Sequence, residues 1–61
     1  MEVKLIGRKE STETTAVEIF CELNGLTCAF TEADTDIVIA EIGDVCVQEA
    51  IAILKFLVVK I

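Results

Sequence analysis

The apolar residues of this chain change their period along its length, and that order of periods fixes the elements it can build. Over residues 2–6 apolar and polar residues alternate: Val3 and Leu5 share one face and Lys4 the other, the pattern of a short strand. Gly7 ends it. The period then lengthens. Ser11 to Thr15 offer capping hydroxyls, and Glu10 and Glu13 suit the positive end of a helix dipole. Thr15 with Glu18 also fits a capping box, which leaves the helix start uncertain by several residues. Ala16, Ile19, Phe20 and Leu23 then fall on one face, with Val17 at its margin. Thr14, Thr15, Glu18 and Glu22 fall opposite. Asn24-Gly25 supplies a left-handed stop, which Leu26 can close with an apolar contact.

Alternation returns over residues 26–31, with Leu26, Cys28 and Phe30 on one side and Thr27, Ala29 and Thr31 on the other. Residues 32–36 are polar. Residues 37–42 are almost continuously apolar, which suits a central strand. So short a link between two strands predicts an antiparallel hairpin. Gly43-Asp44 reads as a helix start with Asp44 as the cap. The helix it opens has an apolar face of Val47, Ala50, Ile51, Leu54, Leu57, Val58 and Ile61. Gln48, Glu49, Ala52, Lys55, Val59 and Lys60 form its other stripe.

The expected fold is therefore one α+β domain over residues 1–61, ordered β-α-β-β-α. It is a three-stranded mixed sheet with two helices on one face. The β-branched ending, residues 58–61, offers an alternative: a fourth strand completing a βαββαβ, ferredoxin-like arrangement. On either topology the uncovered sheet face shows Lys4, Ile6, Thr27, Ala29 and Thr31, with part of the third strand.

Size limits what such a fold can hide. A domain of about 60 residues buries only about 60% of the surface its unfolded chain exposes. Yet 54% of these residues are hydrophobic. With no complete set of disulfides possible from three cysteines and no zinc spacing, self-association is the expected remedy, as a homodimer or larger. The uncovered sheet face is the first candidate surface and the apolar flank of the second helix the second.

Charge is distributed as unevenly as hydropathy. The five bases, Lys4, Arg8, Lys9, Lys55 and Lys60, stand at the two ends, and residues 10–54 contain none; the net charge is −6. Such a balance disfavours nucleic acid and anionic membranes as direct partners, and favours a basic protein partner. No secretory leader or membrane span is evident. A cytoplasmic setting with reduced thiols follows.

Motifs for chemistry are scarce. There is no CxxC among Cys21, Cys28 and Cys46, and no phosphate-binding glycine loop among Gly7, Gly25 and Gly43. Glu32-x-Asp34-x-Asp36 begins like a calcium loop, but Ile37 and Gly43 stand where Gly and Glu are needed. Glu41 is the one carboxylate in an apolar setting, although an outward-facing strand residue explains it as well. Cys46, placed in the first turn of the second helix, could be a reactive thiol lowered by the dipole, or simply a small buried hydrophobe. No catalytic residue, metal or cofactor is assigned.

The expectation is a non-enzymatic acidic interaction module. Its partner-binding surface would be Glu18 and Glu22 on helix one, with Glu32, Asp34 and Asp36 at the hairpin tip. In size and charge it is similar to small phage-encoded inhibitors of nucleases, with no shared motif. An oligomeric assembly module and a Cys46-dependent redox or small-ligand protein are the alternatives.

Overall fold

A computed structural model describes residues 1–61. The elements are β1 (Glu2–Gly7), α1 (Thr12–Leu23), β2 (Thr27–Glu32), β3 (Ile39–Ile42), β4 (Val45–Gln48) and α2 (Ala50–Lys60). The class is α+β with a mixed sheet and two helices, but the sheet has four strands, ordered β2-β1-β3-β4. The β-α-β-β-α expectation is one strand short. The ferredoxin-like alternative fails too, because residues 56–60 continue α2.

The missed strand is β4. Gly43-Asp44 does not start a helix; it turns a hairpin, with Ile42 opposite Val45. Gly43 takes φ 61° and Asp44 no positive φ, so glycine sits at the first central position, as in a type II′ turn. That twist suits strand pairing. Val45-Cys46-Val47 then pairs with β3 rather than coiling.

The strands at 27–32 and 39–42 are not hairpin partners. β1 lies between them, parallel to β2 and antiparallel to β3. Residues 33–38 cross the end of β1 instead of turning back. The central position expected for the third strand holds, since β1 and β3 are the two inner strands.

Local chemistry sets α1. The Thr14 amide donates to Ser11 Oγ at 3.4 Å, and the Ser11 hydroxyl donates to Glu13 Oε1 at 2.9 Å. At the other end Leu26 N–H reaches Cys21 C=O at 2.9 Å and Gly25 N–H reaches Glu22 C=O at 3.3 Å, with Gly25 at φ 69°. These are the paired bonds of a Schellman stop. The buried face, however, is Thr14, Val17 and Cys21. Ile19 and Leu23, expected inside, are 53% and 78% exposed. The helix is rotated because small Val17 and Cys21 fit close to the sheet. Thr14 goes in against Gly7: a Cβ at Gly7 would lie 3.0 Å from Thr14 Oγ1. That hydroxyl is buried without a hydrogen-bond partner, at a cost of about 1–3 kcal/mol.

α2 follows β4 after a single residue. Glu49 takes φ 75° and ψ 137°, a strained backbone for a side chain with a Cβ. Its N–H donates to Val38 C=O at 2.9 Å, and its own C=O accepts from Ile53. No side chain caps this helix. Its buried face is Ala50, Ile53 and Leu57; Ile51 and Val58, expected on the apolar inner face, are 69% and 58% exposed.

Both helices pack side by side on one sheet face. Val3 and Leu5 of β1, Ala40 and Ile42 of β3, Val17 and Cys21 of α1, and Ile53 and Leu57 of α2 join one core. Only 12 of the 61 residues are buried. The accessible surface, 4022 Å², is close to the roughly 3,900 Å² of an ordinary monomer this size. Loose packing is therefore not why so much apolar surface stays outside; the chain is too small to enclose it.

Candidate interaction surface

Three surfaces remain uncovered: the open sheet face, the outer side of the helices, and the two sheet edges. Pairing across the sheet fixes the first. One row on the open face reads Ala29, Lys4, Glu41, Cys46 and the next Thr31, Ile6, Ile39, Gln48. Only the adjacent Ile6 and Ile39 make an apolar spot, and both are half-buried. The face is more polar than the sequence implied, because β3 and β4 add Glu41 and Gln48. Glu41 lies on it, exposed and opposite Lys4. An acid–base role would need an apolar surrounding, which this position lacks.

Cys46 is likewise an exposed strand residue, not a first-turn helical one. The helix-dipole ground for its reactivity is therefore absent. The other two thiols neighbour one another. Burial pushes the Cys28 thiol up to about 11, and the adjacent Cys21 thiol and Glu18 add to the rise. Cys21 is also raised, chiefly by burial. Neither is disposed to be a thiolate at neutral pH. No group of three or more Cys, Asp or Glu side chains converges as a metal site, and no helix is long and apolar enough to cross a membrane.

The acidic residues divide into two sets. Asp34 and Asp36 lie in the segment that crosses the end of β1, where Arg8 follows Gly7. Arg8 donates Nε at 3.0 Å and Nη2 at 2.7 Å to Asp34 Oδ1, and its Nη2 stands 3.5 Å from Asp36 Oδ1. The pairing raises the Arg8 pKa, first through that hydrogen bond. These two aspartates are not at a hairpin tip, and they are partly neutralised. Sequence separation hid this: Arg8 and Asp34 are 26 residues apart and meet only because β1 is an inner strand.

Glu18, Glu22 and Glu32 form the other set, and none has an ion-pair partner. Glu18 is half-buried, and it and Glu22 lie on the flank of α1 above β2 rather than on its outermost face. They line a shallow groove with Thr15, Ile19, Leu26 and Cys28. Glu18 is close enough to bear on both thiols. Glu32 ends β2. α1 returns antiparallel to β2, so Glu22, Glu18 and Glu32 follow one another along the strand.

The groove borders a feature that the pattern of residues did not reveal: β2 is an edge strand. Thr27 N–H bonds to Met1 C=O, and Ala33 N–H to Gly7 C=O. A parallel ladder alternates, so Thr27, Ala29, Thr31 and Ala33 direct their backbone groups to β1. Cys28, Phe30 and Glu32 direct theirs outward. The sequence signal was present but weak: residues 27–31 carry Thr at both ends, whereas an inner strand such as β3 is nearly all apolar.

Exposed apolar side chains lie on both helices, Ile19 and Leu23 on α1 and Ile51, Val58 and Val59 on α2, and on α2 they line up with half-buried Leu54. Ile51, Leu54 and Val58 recur at helical spacing as a stripe, with Val59 83% exposed beyond it.

Comparison with protein-family models, curated proteins and solved structures finds no match. The functional reading therefore rests on the arrangement of residues.

Proposed function

We propose that this protein is a small acidic interaction module that binds a basic surface of a partner protein, such as one that normally faces nucleic acid. The observation that carries the reading is the pair Glu18 and Glu22, standing together beside an open strand with no base against them. Two like charges one helical turn apart cost about 0.2–0.5 kcal/mol, so a cationic partner relieves a standing repulsion. Asp34 and Asp36, already met by Arg8, contribute less.

Affinity capture from a lysate of the source cells tests this. The wild-type chain should retain basic proteins at low salt and release them as salt rises. Glu18→Lys with Glu22→Lys should abolish the retention while leaving the circular-dichroism spectrum intact. Equal retention by the charge-reversed chain would sink the reading.

The stripe of Ile51, Leu54 and Val58 favours a second reading, an oligomeric assembly module joined through α2. Light scattering across dilution distinguishes it. A salt-insensitive oligomer that Val58→Lys dissociates supports assembly; a monomer at all concentrations removes it.

A further inference from the structure

We propose, resting on the acidic-module reading above, that the partner presents an extended segment with basic residues at alternate positions, which adds to the outer edge of β2 as a fifth strand. The edge supplies the first argument. Cys28, Phe30 and Glu32 point three N–H and three C=O groups away from the sheet, over a strand of six residues. Natural edge strands are blunted by lysines, prolines, bulges or a covering element. β2 has none of the first two, runs in unbroken register with β1 from Glu2↔Thr27 to Gly7↔Glu32, and is uncovered on its outer side. β4, the other edge, is four residues long and offers less.

Charge selects the occupant. Side chains of an added strand alternate between the helix side and the open face. On the helix side they enter the groove bounded by Glu18 and Glu22, with Glu32 at its far end. A lysine or arginine there lays its methylene stem on Ile19 and Leu26 and its cation by the carboxylates. On the open face the neighbours are Thr27, Ala29 and Thr31, which suit β-branched or small residues. A second copy of this chain is the wrong occupant. Joining β2 to β2 would bring Glu18 and Glu22 of both copies to one seam, and β2 has no base to offer them. Strand addition supplies affinity through the main chain and specificity through alternate side chains. The two halves of the site match those two demands.

A capped six-residue peptide alternating lysine with valine is the probe, with two controls. One is the same peptide N-methylated on the amides that would face β2. The other is the Glu18→Gln, Glu22→Gln protein. Titration followed by amide hydrogen exchange should show the peptide protecting the Cys28, Phe30 and Glu32 amides. N-methylation should abolish that protection, and the double neutralisation should weaken binding about tenfold. Binding without protection of those amides would overturn strand addition while leaving the acidic-module reading standing. Absence of binding would overturn strand addition also, and the lysate capture would then decide the broader reading separately. Protection that rises with protein concentration and no peptide would assign the edge to a second copy instead.

Discussion

The two helices are nearly equal in length, 12 and 11 residues, yet they are held differently. α1 is bounded by its own neighbours in sequence: Ser11 caps its start, Asn24-Gly25 and Leu26 close its end, and its buried side chains are small. α2 has no cap, begins at a strained Glu49, and is fixed by Ile53 and Leu57 in the core. The first helix has local hydrogen bonds at both ends as well as a buried face of Thr14, Val17 and Cys21; the second starts with no side-chain cap and relies on its buried face. Their exposed sides differ in charge. Both expose apolar residues, Ile19 and Leu23 on α1 and Ile51 and Val58 on α2, but only α1 sets carboxylates, Glu18 and Glu22, beside a strand edge.

The difference can be broken most directly in the core. Leu57→Ala should cost about 3 kcal/mol, a large share of the roughly 3–9 kcal/mol available to a domain this small. Urea denaturation should show the native baseline nearly lost; a cost under about 1 kcal/mol would mean that α2 is not held by packing. Removing α1's cap is a smaller blow: Ser11→Ala should lower stability by about 1 kcal/mol. No loss there would show that α1, too, depends on its buried face alone.

Glu49→Gly works the other way. Glycine accepts a positive φ without the steric cost that Glu49 bears, so stability should rise by up to about 1 kcal/mol. A loss would mean that the Glu49 side chain contributes something beyond its backbone. The mildest effect concerns pH. Cys21 and Cys28 have raised thiol pKa values in the fold, Cys28 about 11. The unfolded chain therefore ionises first. Stability is unaffected below the ordinary thiol pKa and falls as pH rises from there toward about 11. Thermal melts at alkaline pH should show that decline, and Cys28→Ala should reduce its slope. In the same native protein exposed Cys46 should alkylate first.

How far the chain's own pattern could be read follows from the same contrast. The stop of α1 was legible, because it is written in Asn24-Gly25-Leu26; the start was legible only to within several residues, because Ser11 and Thr15 both offer a cap and the structure uses Ser11. The rotation of α1 was not: Ile19 and Leu23 are more apolar than Thr14 and Cys21, but a close approach to Gly7 favours the smaller side chains. The start of α2 was illegible for a related reason. Gly43-Asp44 can cap a helix or turn a hairpin, and only pairing with β3 decides between them. Of the candidate surface, the carboxylates were visible as residues. The company they keep was not, since Arg8 reaches Asp34 across the fold and the β2 edge depends on strand order.

That strand order also governs how the molecule assembles. The β3–β4 hairpin closes through a two-residue loop, an event of about 1–10 μs. Joining β1 to β3 must instead bring Leu5 to Ala40, 35 positions away. On contact order the seam between the two inner strands, which joins β1-α1-β2 to β3-β4-α2, is expected to close later than that hairpin. An inner strand still unpaired during refolding would offer its backbone groups to another chain. Aggregation during refolding should accordingly rise with concentration.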